Sequence, residues 1–252
     1  MEFVNPPEQP YANVLLYGQP KTGKTAGACS APGSVLLLNA DLPNATHYAH
    51  AQDHEGRVKE VRVEGKATLQ EIMAAAYPKS GPGWDTVVID PVGELHRRLL
   101  EEASNMAVRP TMNQYGDVGT MIERFCRFMC EAPCNTVIVC HELSIKDEEL
   151  GRFERVPFTG TNNPALGAKL MGMVDILGYT GITTLEDGST AYAAQLTTGQ
   201  GRRGGDRFAV LGDWRPMDLT EWFLTAGCHT GYEALDVSSN ALAEQPAEAA
   251  AA

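Results

Sequence analysis

Four short, nearly continuous apolar runs mark the first part of the chain: Asn13–Tyr17 (NVLLY), Val35–Leu38 (VLLL), Thr86–Ile89 (TVVI) and Thr136–Val139 (TVIV). A half-exposed strand alternates apolar and polar residues, so unbroken runs of this length predict strands buried on both faces. Between them lie segments of helical character, Lys24–Ser30, Thr68–Tyr77, Gly93–Met106 and Val118–Glu131. Leu95, Leu99 and Leu100, and then Met121, Ile122, Phe125 and Met129, recur at the three- and four-residue spacing of one helix face. Strands alternating with helices imply right-handed crossovers and a mostly parallel sheet flanked by helices, an α/β fold.

Beyond Cys140 the pattern changes. Ile145–Phe158 (IKDEELGRFERVPF) reads as a charged hairpin or mobile loop turning near Gly151, and Ala165–Met173 as a short helix. Ile176–Thr183 and Thr190–Thr197 flank Glu186-Asp187-Gly188, a turn signal that predicts a C-terminal antiparallel hairpin. The regular pattern fades after Trp222, where Trp214, Trp222, Phe208 and Phe223 are expected to pack against the sheet. Asn240–Ala252 holds no aromatic or β-branched residue. The reading is an N-terminal extension over 1–10, one domain over 11–225, and an acidic, Ala-rich tail over 226–252 without fixed structure.

With 252 residues, 43% of them hydrophobic, the chain has a core to bury. Its formal net charge of −12 excludes a globally basic nucleic-acid binder. Half of that deficit lies in residues 216–252, whose six acids are accompanied by no Lys or Arg. No apolar run approaches the roughly 18 residues needed to cross a bilayer, and the first residues lack a basic-then-apolar leader. Six cysteines are too sparse for a disulfide framework. Together these predict a soluble, cytoplasmic protein with no membrane partner. Cys126, Cys130 and Cys134 recur every four residues, within and just after a helix, a spacing that suits buried thiols better than a zinc knuckle.

Gly18-Gln19-Pro20-Lys21-Thr22-Gly23-Lys24-Thr25 matches G-x-x-x-x-G-K-[ST] between a predicted strand and a predicted helix. In that setting the glycines let backbone N–H groups wrap a phosphate chain, Lys24 reaches the β- and γ-phosphates, and the Thr25 hydroxyl ligates Mg²⁺. The second Mg²⁺ ligand is expected at Asp90, which ends the apolar strand Val87-Val88-Ile89. Pro91 follows it, so the adjacent acid that many ATPases use as base is missing. Asp41, just past the second apolar run, is the candidate to orient water, with Glu94 and Glu142 as competitors. His141 ends the run after Cys140 and is the candidate sensor of the γ-phosphate.

These features together resemble the RecA-like core of P-loop NTPases, and within it the phage-encoded Sak4-like ATPases associated with single-strand annealing and recombination. The likeness spans approximately residues 10–225 and draws also on Leu38-Asn39-Ala40-Asp41, Val139-Cys140-His141-Glu142 and the late Arg-rich segment. It implies that Asp41 stands where the family has a catalytic Glu, one methylene longer, and His141 where it has a polar sensor. It further implies ATP and Mg²⁺ as ligands, a ring or filament of identical subunits, and the cytoplasm of a host cell. Single-stranded DNA would meet loops near Asn105–Asp117 and Ser144–Asn163, and a phage or host single-stranded-DNA-binding protein is a further partner. The second loop mixes Lys146, Arg152 and Arg155 with Asp147, Glu148, Glu149 and Glu154, so it is no plain basic patch.

Arg202, Arg203 and Arg207 lie in a glycine-rich segment, Thr197–Arg207. They can serve a neighbouring subunit's ATP, DNA phosphates, or a lid over the chain's own nucleotide. The expected activity is slow ATP hydrolysis coupled to DNA binding or annealing. Two alternatives stay open: a nucleotide kinase with the arginines as its lid, and an ATP-gated interaction protein with negligible hydrolysis.

Overall fold

A computed structural model describes residues 10–76, 83–147, 151–184 and 188–231. In chain order the first elements are β1 (Asn13–Gly18), α1 (Lys24–Cys29), β2 (Val35–Asn39), α2 (His47–Gln52), β3 (Val58–Arg62) and α3 (Lys66–Ala76). Then come β4 (Thr86–Asp90), α4 (Val92–Ala103), α5 (Met112–Glu131), β5 (Asn135–Asp147), β6 (Arg152–Phe158) and α6 (Ala165–Met173). The chain continues through β7 (Ile176–Thr184), β8 (Thr190–Gln195), β9 (Gly205–Asp206), β10 (Trp214–Pro216) and α7 (Leu219–Ala226).

The strands form one sheet in the order β10-β8-β7-β1-β5-β4-β2-β3, with β6 paired to β5 and β9 to β7. From β7 to β3 every neighbouring pair along this order is parallel, whereas β7–β8, β8–β10 and β5–β6 are antiparallel. This is the RecA-like P-loop NTPase fold, a mostly parallel core flanked by helices with antiparallel strands toward the C-terminus. Because β5 lies between β1 and β4, the ends of three strands open onto one crevice, where ligands gather in such sheets.

The apolar runs are continuous because both faces are covered. Leu15, Tyr17, Leu36, Leu38, Val87, Ile89 and Ile138 meet Leu69, Leu95, Leu99, Ile122, Phe125 and Leu170 from α3 to α6. On the opposite face Val14, Leu16, Leu37, Val88, Val137 and Val139 meet Ala28, Ala49, Leu219, Trp222 and Phe223 from α1, α2 and α7. The six cysteines are free thiols, five of them buried. Among the described residues no helix is long and apolar enough to cross a membrane.

Several expectations are corrected. The edge strand β3 and helix α2 carry no apolar run or stripe, since only Val58 of β3 and Ala49 of α2 are buried. With β3 present, the strands ending at Asp90 and continuing through His141 are the fourth and fifth, not the third and fourth. Helix α5 begins six residues earlier than its apolar spacing suggests. Thr111 caps it by accepting from the Gln114 N–H at 3.3 Å, while the Gln114 side chain takes the Thr111 N–H at 2.7 Å. Of the two readings of Ile145–Phe158, the hairpin is the one seen in its described part and the mobile loop is not: β5 and β6 pair from His141↔Phe158 to Asp147↔Arg152. The residues just after α7 are packed rather than tail-like, with the His229 N–H bonded to the Pro10 carbonyl at 2.9 Å and the Asn135 amide to the His229 carbonyl at 3.0 Å. Residues 1–9, the turn at Glu186-Asp187 and the tail over 232–252 lie outside the described residues.

Candidate functional site

The turn from β1 into α1 is built on two glycines. Gly18, with φ +156°, leaves no room for a Cβ, which would meet the Thr180 hydroxyl at 2.5 Å. Gly23, with φ +79°, lies in the left-handed region, and a Cβ there would strike the Tyr192 ring at 2.5 Å. Between them the Thr22 hydroxyl bonds the Gln19 carbonyl at 2.8 Å and meets the Thr180 hydroxyl at 2.6 Å, tying the loop to β7.

Lys24 is buried. Its Nζ donates to the carbonyls of Gly18 and Gln19, at 3.0 and 2.5 Å. Burial lowers its pKa, an effect opposed by the Asp90 carboxylate. Thr25 Oγ1 donates to Asp90 Oδ2 at 2.6 Å. Burial pushes the Asp90 carboxyl up to about 6, against the Thr25 hydrogen bond and the Lys24 charge, with Asp41 adding a smaller push in the same direction. Two oxygen donors within hydrogen-bond distance, one a buried carboxylate, are the hard-ligand chemistry that suits Mg²⁺.

These residues share one cavity of about 490 Å³ with Pro20, Lys21, Asp41, Ala45, Tyr48, His141 and Tyr192. Asp41 and His141 thus reach the same space from the ends of different strands. Asp41 follows β2, where its N–H bonds Asn39 Oδ1 at 2.8 Å, and the Arg98 guanidinium donates to the Ala40 and Asp41 carbonyls. His141 stands beside Gly18 in the β1–β5 register, its Nδ1 buried without a partner. Burial, and then the Lys24 charge, lower its pKa and favour the neutral ring. The competing carboxylates do not line this cavity: Glu94 pairs with Arg97 at 2.7 Å, and Glu142, which accepts from the Tyr179 hydroxyl at 2.8 Å, flanks the phosphate loop through Gln19 Nε2 at 3.4 Å.

Arg202 and Arg203 are not brought into this cavity. Arg202 lies over the Tyr179 ring, 4.6 Å from its centroid, and Arg203 pairs with Glu154 at 2.6 Å. Arg207 pairs with Asp175 at 3.0 Å near the start of β7. A lid formed by these arginines over the chain's own nucleotide is not the arrangement seen.

Two tyrosines that sequence reasoning passed over line the mouth of the cavity. Tyr48 projects from α2 and Tyr192 from β8, and 56% and 40% of their surfaces remain exposed. Large rings left in contact with solvent at a phosphate site suit a planar base. Helix α2 and strand β8 come to the loop only through the sheet order, and the exposed Tyr48 in an unpatterned segment was the one available signal.

The chain is similar to the solved flagellar accessory protein FlaH from Methanocaldococcus jannaschii. The identity is 13% and the TM-score 0.40, over 78% of this chain and 80% of that one. It is also similar to an ATPase from the type III secretion system of pathogenic bacteria, at 13% identity and a TM-score of 0.43, over 68% of this chain and 52% of that one. Comparison with curated proteins returns no match. The AAA domain profile matches residues 11–208, from the approach to the P-loop strand through the arginine-bearing glycine loop, and the chain belongs to that AAA domain family of P-loop ATPases.

Proposed function

We propose that this chain is a Mg²⁺-dependent ATPase whose nucleotide state governs contact with single-stranded DNA. The observation that carries the ATPase reading is the convergence of Lys24, Thr25, Asp90, Asp41 and His141 on one cavity that Tyr48 and Tyr192 also line. The phosphates lie in the Gly18–Thr25 loop, where Lys24 exchanges its bonds to the loop carbonyls for phosphate oxygens. Thr25 and Asp90 are the residues that would hold Mg²⁺, whose charge would offset that of the β- and γ-phosphates. Asp41 accepts a hydrogen bond from the attacking water and aims it at the γ-phosphorus. Neutral His141 donates to a γ-phosphate oxygen, and the tyrosines hold the base.

The DNA part of the reading rests on a second cavity and on the Sak4-like resemblance. Two segments expected to act as DNA loops line one cavity of about 650 Å³ with Met112, Tyr115, Phe158, Thr161, Asn162 and Asn163, which Lys169 also lines while paired with Glu123 at 2.6 Å. Aromatic and amide side chains around such a cavity suit stacking and hydrogen bonding to unpaired bases. Arg202 and Arg203, outside the nucleotide cavity, then serve DNA phosphate or the nucleotide of a neighbouring copy. Phosphate release from ATP, measured with and without single-stranded DNA at two salt concentrations, tests both parts. Turnover that needs Mg²⁺, rises with DNA and loses that stimulation as salt increases is expected. Turnover only when a nucleoside monophosphate is supplied would replace this reading with the kinase.

A further inference from the structure

We propose that Glu60, on the edge strand β3, is the positioning residue that sets both ends of the nucleotide site through its two carboxylate oxygens. The inference rests on the ATPase reading and extends it to a residue outside the cavity.

Glu60 Oε1 accepts from Asn39 Nδ2 at 2.8 Å. Asn39 is buried at the end of β2, and its Oδ1 receives the Asp41 N–H at 2.8 Å. An ionised carboxylate can only accept, so it dictates which way the Asn39 amide turns: NH₂ toward Glu60, oxygen toward Asp41. That orientation fixes the backbone from which the Asp41 carboxylate enters the cavity.

Glu60 Oε2 faces the other way, toward the helix that carries Tyr48. It accepts from the Thr46 hydroxyl at 2.8 Å and meets His50 Nε2 at 2.7 Å. Thr46 occupies the N-cap position of α2, yet its hydroxyl makes no capping bond and is spent on Glu60 instead. A six-residue helix with one buried side chain has little packing to hold it. The anchor at Thr46 and His50 therefore decides where Tyr48 stands. Burial raises the Glu60 pKa, but hydrogen bonds from Asn39, His50 and Thr46 outweigh it and keep the group below the ordinary carboxylate range.

The two oxygens serve different steps, which gives the test its form. Steady-state phosphate release and equilibrium ATP binding would be measured on the full chain, with melting temperature followed in parallel. Glu60→Ala is expected to lower kcat by roughly 10-fold or more and to weaken ATP binding several-fold, since small misplacements of a reacting group are costly. The pair Thr46→Val and His50→Ala severs only the α2 arm, so it is expected to weaken ATP binding while kcat stays near wild type. In an Asp41→Asn background, removing Glu60 should lower kcat no further. A lowered melting temperature with unchanged kcat and affinity per folded molecule would reduce Glu60 to a structural role and overturn the proposal. Intact ATP affinity in the Thr46→Val, His50→Ala pair would do the same, whether or not Glu60→Ala folds. If Asp41→Asn and Tyr48→Ala themselves leave turnover and affinity untouched, the assignment of the site falls and the inference with it.

Discussion

Lys24 illustrates how a single position carries both the recognition of the site and its energetics. Its ammonium is buried, and in the loop as it stands the Gly18 and Gln19 carbonyls satisfy it. Lys24→Ala removes the only buried cation lining the cavity among the described residues. The expected loss in ATP affinity is about 2 kcal/mol or more, the scale of a charged hydrogen bond, read by titration calorimetry. Asp41→Asn keeps the shape and removes the charge. Phosphate release should fall by about 10²-fold, the range of general-base effects, with ATP affinity nearly unchanged. At this scale the contiguous parts were legible. Gly18–Thr25 is one stretch of chain, and Asp90 sits where an apolar run meets a carboxylate. Tyr48, Tyr192 and Glu60 were not, because each acts through neighbours far away in the chain.

Among the elements, the strands buried on both faces were announced by their apolar runs, whereas β3, α2 and the start of α5 were not. β2 and β4 are buried at every residue, and their runs announced them. β3 exposes most of its side chains at the sheet edge, and the first turns of α5 carry Gly116 and Gly119, which interrupt its apolar face on either side of Val118. The capping pair supplies what that first part of α5 lacks. Thr111→Ala should therefore destabilise the protein by about 1 kcal/mol, measured by urea unfolding, without changing ATP affinity. α7, which the sequence reading did not predict as a helix, is a short helix held by its core side chains, with Trp222 and Phe223 fully buried against β1, β5 and β8. Trp222→Ala should cost about 3–5 kcal/mol in the same measurement.

For the molecule as a whole, His96 links stability to pH. It is buried on α4, stacked 6.1 Å from Tyr115, and its Nδ1 has no partner. Burial lowers its pKa, so the folded protein holds the ring neutral while the unfolded chain takes up a proton near the ordinary pKa of about 6.5. Stability is therefore full above that pH and declines as pH falls toward the folded pKa. His96→Phe keeps a ring against Tyr115 and should flatten the fall in melting temperature between about pH 7 and pH 5. His141 has a shift of the same sign and would keep part of the slope in that variant.

The amino-acid order alone specified the class of fold, the phosphate loop and the carboxylate paired with it. Each depends on local facts: an apolar run needs covering on both faces, and a loop that wraps phosphate needs glycines a few residues apart. The net charge of −12 likewise excluded a globally basic surface. Only the tertiary structure decided which side chains share the cavity. It brought in Asp41, His141, Tyr48 and Tyr192, left Glu94, Glu142, Arg202 and Arg203 outside, and tied Glu60 to Asn39, Thr46 and His50. The reason is the strand order. With β5 between β1 and β4, and β3 beside β2 at the edge, residues distant along the chain converge, and no periodicity within one segment records who its neighbours across the sheet will be.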